Sequence, residues 1–154
     1  MKEALLSIIK DENRIITGQI DPQYLSDNLG RKKGTAEAVV FPVSTEEISG
    51  VMRYAWKNNL PVTPRGAGTN IVGSTVPSGY GIVLDVSLMN HVLELDEETF
   101  TATVEPGVVL EDFQAYVESK GLFYPPDPGE KKATIGGNIS TNAGGMRAVK
   151  YGVT

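Results

Sequence analysis

The chain has 154 residues, 40% hydrophobic and 21% charged, with a formal net charge of −5. That length supports one domain with a real core or two small subdomains. The acidic balance gives no basic footprint for nucleic acid. The absence of cysteine excludes disulfides and cysteine-ligated metal or iron–sulfur sites, and fits a reducing, cytoplasmic compartment.

Residues 2–12 read as an amphipathic helix with Leu5, Ile8 and Ile9 on one face. Its apolar group is too short for a membrane span and lacks the features of a signal peptide. Residues 14–17 suggest a short strand. Residues 21–35 read as a polar loop broken by Asp21-Pro22, Gly30 and Gly34, with Lys32-Lys33 on a solvated turn.

The run Ala38-Val39-Val40-Phe41-Pro42-Val43 reads as a buried strand. Ser44 followed by Glu47 has capping-box spacing and starts a helix. Ile48, Val51, Met52, Ala55 and Trp56 form its apolar stripe, which makes Trp56 a core residue. Asn58-Asn59 ends it, and residues 60–63 begin a second strand. The result is a βαβ unit with parallel strands.

The next residues, Pro64-Arg65-Gly66-Ala67-Gly68-Thr69-Asn70, then fall at the carboxyl end of that strand, where open α/β sheets bind ligands. Three phosphate motifs fail here. The Rossmann fingerprint needs its third glycine two places before Gly73, and a helix. A Walker A loop needs lysine where Ser74 stands. A kinase glycine loop belongs in a hairpin. A nest of successive amides survives, with Thr69 and Asn70 adding donors and Arg65 a positive charge.

Residues 81–86 read as a further strand. Residues 91–95 and 99–104 alternate around Asp96-Glu97-Glu98, a hairpin signal, and those carboxylates are a solvated turn rather than a metal site. His91, the only histidine, is an ordinary strand residue. Leu110, Phe113 and Val117 mark a helix ending at Gly121. Residues 122–124 are short and extended, and Pro125-Pro126-Asp127-Pro128 stops them. Thr134 caps a short helix through Ile135-Gly136-Gly137, whose free amides would face an anion. Asn138, Thr141 and Asn142 could reach the same ligand. Two nests from two subdomains suit a pyrophosphate. No catalytic or metal-binding residue emerges.

The chain resembles the FAD-binding, PCMH-type domain of the vanillyl-alcohol oxidase / p-cresol methylhydroxylase superfamily, in its glycolate oxidase and D-lactate dehydrogenase branch. The resemblance rests on Val39-Val40-Phe41-Pro42, Ser44-Thr45-Glu46-Glu47-Ile48, the Pro64 loop with Gly73, Leu84-Asp85-Val86-Ser87, Val104-Glu105-Pro106-Gly107, Pro125-Pro126-Asp127-Pro128, the glycine-rich residues 134–145 and Lys150-Tyr151-Gly152. It implies an α+β, PCMH-type FAD-binding fold: a βαβ subdomain over residues 1–90 and a mixed or antiparallel β subdomain, incomplete, over residues 91–154. It implies FAD contacts at Pro64, Arg65, Gly66, Ala67, Gly68, Thr69, Asn70, Gly73 and Ser74. Further contacts are implied at Pro128, Thr134, Gly137, Asn138, Thr141, Asn142, Gly144 and Gly145.

Members with covalent flavin carry a histidine just after the loop glycines. Thr69-Asn70 stands here, so non-covalent FAD is expected. The family's FAD domain continues beyond residue 154 into a cap domain. The chain is therefore expected to be an N-terminal fragment, inactive alone, of an enzyme oxidising a small 2-hydroxy acid, with a homodimer or a C-terminal partner as possible company. Two alternatives are another branch, such as the UDP-N-acetylenolpyruvoylglucosamine reductases, and a non-catalytic nucleotide- or anion-binding module.

Overall fold

Strands of apolar residues without alternation need cover on both faces, and Ala38–Val40 (β2) and Ile82–Asp85 (β4) have it. A computed structural model describes residues 1–154, which divide into two units, Met1–Leu88 and Met89–Thr154. In the first unit, β2 and β4 are the two central strands of a four-stranded sheet. Ile15–Thr17 (β1) pairs antiparallel with β2, and Val62–Arg65 (β3) pairs parallel with β4.

The sheet order β1-β2-β4-β3 puts β4 between the two strands of the expected βαβ unit. Those strands are parallel, as expected, but not adjacent. Pro64 lies inside β3 and has no amide hydrogen to give, so β3 belongs at an edge.

Side-chain alternation divides the core. Ala38, Val40, Ile82 and Leu84 face Lys2–Ile9 (α1) and Thr45–Lys57 (α2). Val39 and Val83 face the other way, toward Ile20, Tyr24, Leu25 and Phe41. On α2, Val51 and Ala55 are buried, but Trp56 is 86% exposed and Met52 also lies outside. Each residue turns the helix by about 100°, so Trp56 leaves the buried arc of Ile48, Val51 and Ala55. The expectation of Trp56 as core is corrected.

The Ser44 cap is present: the Glu47 amide donates to Ser44 Oγ at 3.2 Å. The Glu47 carboxylate, however, reaches back past Ser44 to the Val43 amide, at 2.9 Å. It also takes a fork from Arg14, at 2.6 and 2.9 Å, while Arg14 donates to the carbonyls of Ile9 and Phe41. This pair ties α1, β1 and the start of α2 together. Hydrogen bonding from Arg14 holds the Glu47 carboxyl below its usual range.

A depressed folded-state pKa stabilises above the unfolded value and is lost as pH falls through the folded one. Glu47→Ala removes both short hydrogen bonds of the half-buried Arg14 to a carboxylate and leaves it only the 3.5 Å contact with Asp11, an expected cost of about 2–3 kcal/mol at neutral pH. Thermal melts of the two proteins should converge as pH falls below about 4.

In the second unit, Val92–Asp96 (β5) and Thr101–Val104 (β6) form the expected hairpin, with a register shift between Val92 and Glu94. Asp96 Oδ1 closes its turn by accepting the amides of Glu98 and Thr99 at 2.9 and 3.0 Å. Leu110–Glu118 (α3) buries Leu110, Phe113 and Val117 against Val108 and Ile135. Leu122 and Tyr124 pack on this cluster but join no strand. Ile135–Ser140 (α4) and Ala148–Tyr151 (α5) complete the unit. No helix is long and apolar enough to cross a membrane.

Candidate FAD-contacting loops

The first loop leaves β3 after Arg65. No amide from residues 66–71 has an acceptor within the chain. Unpaired backbone donors are rare unless water or a ligand takes them, and a run of them is the raw material of an anion nest. Only Gly68 in that run has positive φ, at 71°.

The side chains of the loop behave otherwise. Asn70 Oδ1 accepts the amides of Val72 and Ser74 at 3.3 and 3.1 Å, and its Nδ2 donates to Thr75 Oγ1 at 2.7 Å. Asn70 thus builds the loop. Arg65 is only 9% exposed. Its guanidinium donates to the Ser26 carbonyl at 3.1 Å, lies 4.0 Å from the Asp85 carboxylate and stands over the Tyr24 ring. Burial lowers the Arg65 pKa and raises that of Asp85 despite their attraction. Desolvation outweighs a contact as long as this one. The Arg65 guanidinium and the Asn70 side chain, expected to add a positive charge and a donor to the nest, thus both have partners within the chain, while the Asn70 backbone amide stays in the unpaired run.

Around them, Ala67 and Ser74 are exposed, and Gly66, Thr69 and Gly73 are half-buried. Pro64, within β3, is exposed. The amide of Ile71, which sequence reasoning passed over, belongs to the unpaired run; only an apolar side chain marks that position.

In the second unit, Thr134 caps α4 as expected, with Oγ1 accepting the Gly137 amide at 3.3 Å. The next expectation fails. The Ile135 amide donates to the Val108 carbonyl at 2.8 Å and the Gly136 amide to the Pro106 carbonyl at 2.9 Å. The first turn of α4 thus has no free amide for an anion. Val109 and Thr134 form an isolated bridge that draws residues 106–110 across this helix start, a long-range pairing that local sequence does not announce.

What remains open is Asn138. It is 3% exposed, and its Nδ2 is buried without an acceptor. A buried orphan donor costs about 1–3 kcal/mol, so a ligand acceptor there would relieve a standing penalty. The amides of residues 144–147 also lack acceptors.

Thr141 Oγ1 donates to the Gly137 carbonyl at 2.9 Å. Asn142 is exposed, with φ 50°. Gly144 and Gly145 are exposed, and Pro128 is buried. Asp127, also buried, pairs with Lys131 and lies 3.5 Å from Arg147 Nε. The hydrogen bond from Lys131 holds its carboxyl low. It ties the proline turn to the segment after Gly145. Its signal was the single acid within Pro125-Pro126-Asp127-Pro128. His91 is exposed and pairs with Glu105 at 2.7 Å.

Residues 36–154 match the family model described as FAD binding domain. The chain is 45% identical over 155 residues to the glycolate oxidase subunit GlcD of Bacillus subtilis, covering 100% of this chain and 33% of that protein. It is 45% identical over 143 residues to a D-lactate dehydrogenase of Anaerostipes hadrus, covering 92% of this chain and 30% of that one. Among solved structures, 6-hydroxy-D-nicotine oxidase from Arthrobacter nicotinovorans aligns with a TM-score of 0.76 at 26% identity, over 90% of this chain and 30% of that one. The chain thus spans about a third of the length of these relatives. In the first unit the unpaired amides of residues 66–71 suit an anionic group, and in the second unit the orphan Asn138 Nδ2 suits an acceptor. On the family match and the shared fold, the chain belongs to the FAD binding domain family, with FAD as its cofactor and the PCMH-type architecture its motifs suggested.

Proposed function

We propose that this chain is the FAD-binding part of a flavin-dependent oxidoreductase that oxidises a 2-hydroxy acid of the glycolate or D-lactate type. The observation that carries the reading is the run of unpaired amides at residues 66–71, at the carboxyl end of a parallel strand, in a chain of this family. Glycolate and D-lactate, named in two relatives 45% identical to it, are both 2-hydroxy acids.

The amides from Gly66 to Asn70, with Ile71, hold the pyrophosphate. Pro64, Gly73 and Ser74 shape the loop's two ends, and the Thr69 hydroxyl adds a donor. In the second unit, Asn138 Nδ2 and the amides of Gly144 and Gly145 reach the dinucleotide, with Thr141 and Asn142 beside them. Thr134, Gly137 and Pro128 hold that stretch in shape. Bound flavin supplies two-electron redox chemistry, and the chain binds and orients it. The flavin is held non-covalently, since Thr69-Asn70 follows the loop glycines. The cysteine-free composition suits the cytoplasm.

A titration of the purified chain with FAD tests this, read by flavin fluorescence and thermal shift. The melting temperature should climb with FAD concentration above Kd. Asn138→Leu should raise the FAD Kd by about tenfold while leaving the unliganded protein as stable or more so, because an apolar isostere removes the orphan donor. A shift with another nucleotide and none with FAD would overturn the reading.

A further inference from the structure

The loop's one cation looks, by type, like a phosphate ligand, yet it is buried beneath the loop. The structure assigns Arg65 a different role. It is a positioning residue that holds the Gly66–Asn70 backbone in its donor-exposing shape, and it does not touch the anion. The assignment rests on the FAD reading of that loop.

Four contacts support it. The guanidinium donates to the Ser26 carbonyl at 3.1 Å and faces Asp85 at 4.0 Å. It stacks over Tyr24, which packs edge-on against Phe41. Gly68 rests on the guanidinium so closely that a Cβ there would collide with it. Such a group is a floor for the loop. A guanidinium so enclosed would have to leave three partners to reach a phosphate.

The same elements reach the loop by a second path. The Asn28 amide donates to the Asn70 carbonyl at 3.0 Å. Ser26 is bridged antiparallel to Lys33, and the Gly34 amide donates to the Leu25 carbonyl at 2.7 Å. Residues 25–34 therefore form a strap with two fastenings on the loop, Ser26 to Arg65 and Asn28 to Asn70. With its carbonyl at 70 and its cation at 65 both held from below, the loop keeps its amides unpaired without collapsing onto itself. A preformed donor set binds more tightly because less ordering is left to binding.

The test compares wild type, R65M and R65K in FAD affinity over a salt series, and in ¹⁵N relaxation of the amides of residues 66–70 without ligand. A direct ion pair weakens with salt, so removing one flattens the salt dependence. The expected result for R65M is a Kd at least tenfold higher, an unchanged salt dependence and new nanosecond motion in those amides. R65K keeps the charge but loses the fork, and should also loosen the loop and weaken binding several-fold. It serves if R65M does not fold.

A flattened salt dependence with amides as rigid as in wild type would overturn the assignment. So would wild-type affinity in R65K. If wild type itself binds no FAD, the functional proposal falls, while the relaxation data still decide whether Arg65 orders the loop.

Discussion

Gly68→Val should raise the FAD Kd by at least about 100-fold, equivalent to roughly 2.7 kcal/mol of binding. Two costs combine. The residue sits at φ 71°, where a β-branched side chain is a genuine outlier. Its Cβ would also enter the Arg65 guanidinium, which Ser26, Asp85 and Tyr24 already hold. Either the loop or the arginine must move, and both disturb the amide run. Fluorescence titration with FAD measures the loss. A Kd within threefold of wild type would remove the first loop from the site.

Gly145→Val should act on folding in the second unit. A Cβ at Gly145 would meet the Asp127 carbonyl and stand 2.9 Å from Pro128 Cα. Both obstacles are backbone, so no rotamer change gives relief. Separating them also pulls Arg147 from Asp127 and exposes the Pro125-Pro126-Asp127-Pro128 turn. Overpacking of this kind costs about 1–3 kcal/mol, and the direct collision puts the expected value near the upper end. Hydrogen exchange followed by mass spectrometry should show faster exchange across residues 89–154 and little change across residues 1–88. Uniform acceleration of both units, or none, would contradict the local account.

The elements with strong local signals were legible in the sequence. Ser44 and Glu47 announced α2, and the doubly apolar run at residue 38 announced a buried strand. The alternation around Asp96 announced the hairpin, and Thr134 announced the cap of α4. Each depends on residues within a few positions of one another, where propensity and hydrogen bonding are local. Where the local signal extended past the packing, it misled. The stripe on α2 ran through Met52 and Trp56, but the sheet covers a narrower arc.

The candidate site divides along the same line. Its location came from glycine spacing and from the strand before it, and the motifs carried the family. Which atoms of those residues are free came only from long-range contacts. Arg65 is turned inward by Ser26, 39 residues away. The start of α4 is covered by the carbonyls of residues 106 and 108. Asn138 is left as a buried donor by packing around it.

The sequence by itself determined the elements, the glycine-rich loops and the family, because these depend on short-range propensity and on motifs read in order. Only the tertiary structure decided that the loop's cation is buried against distant partners and that its backbone amides are left unpaired. A side chain as long as arginine can turn either way, and partners distant in the chain choose the direction.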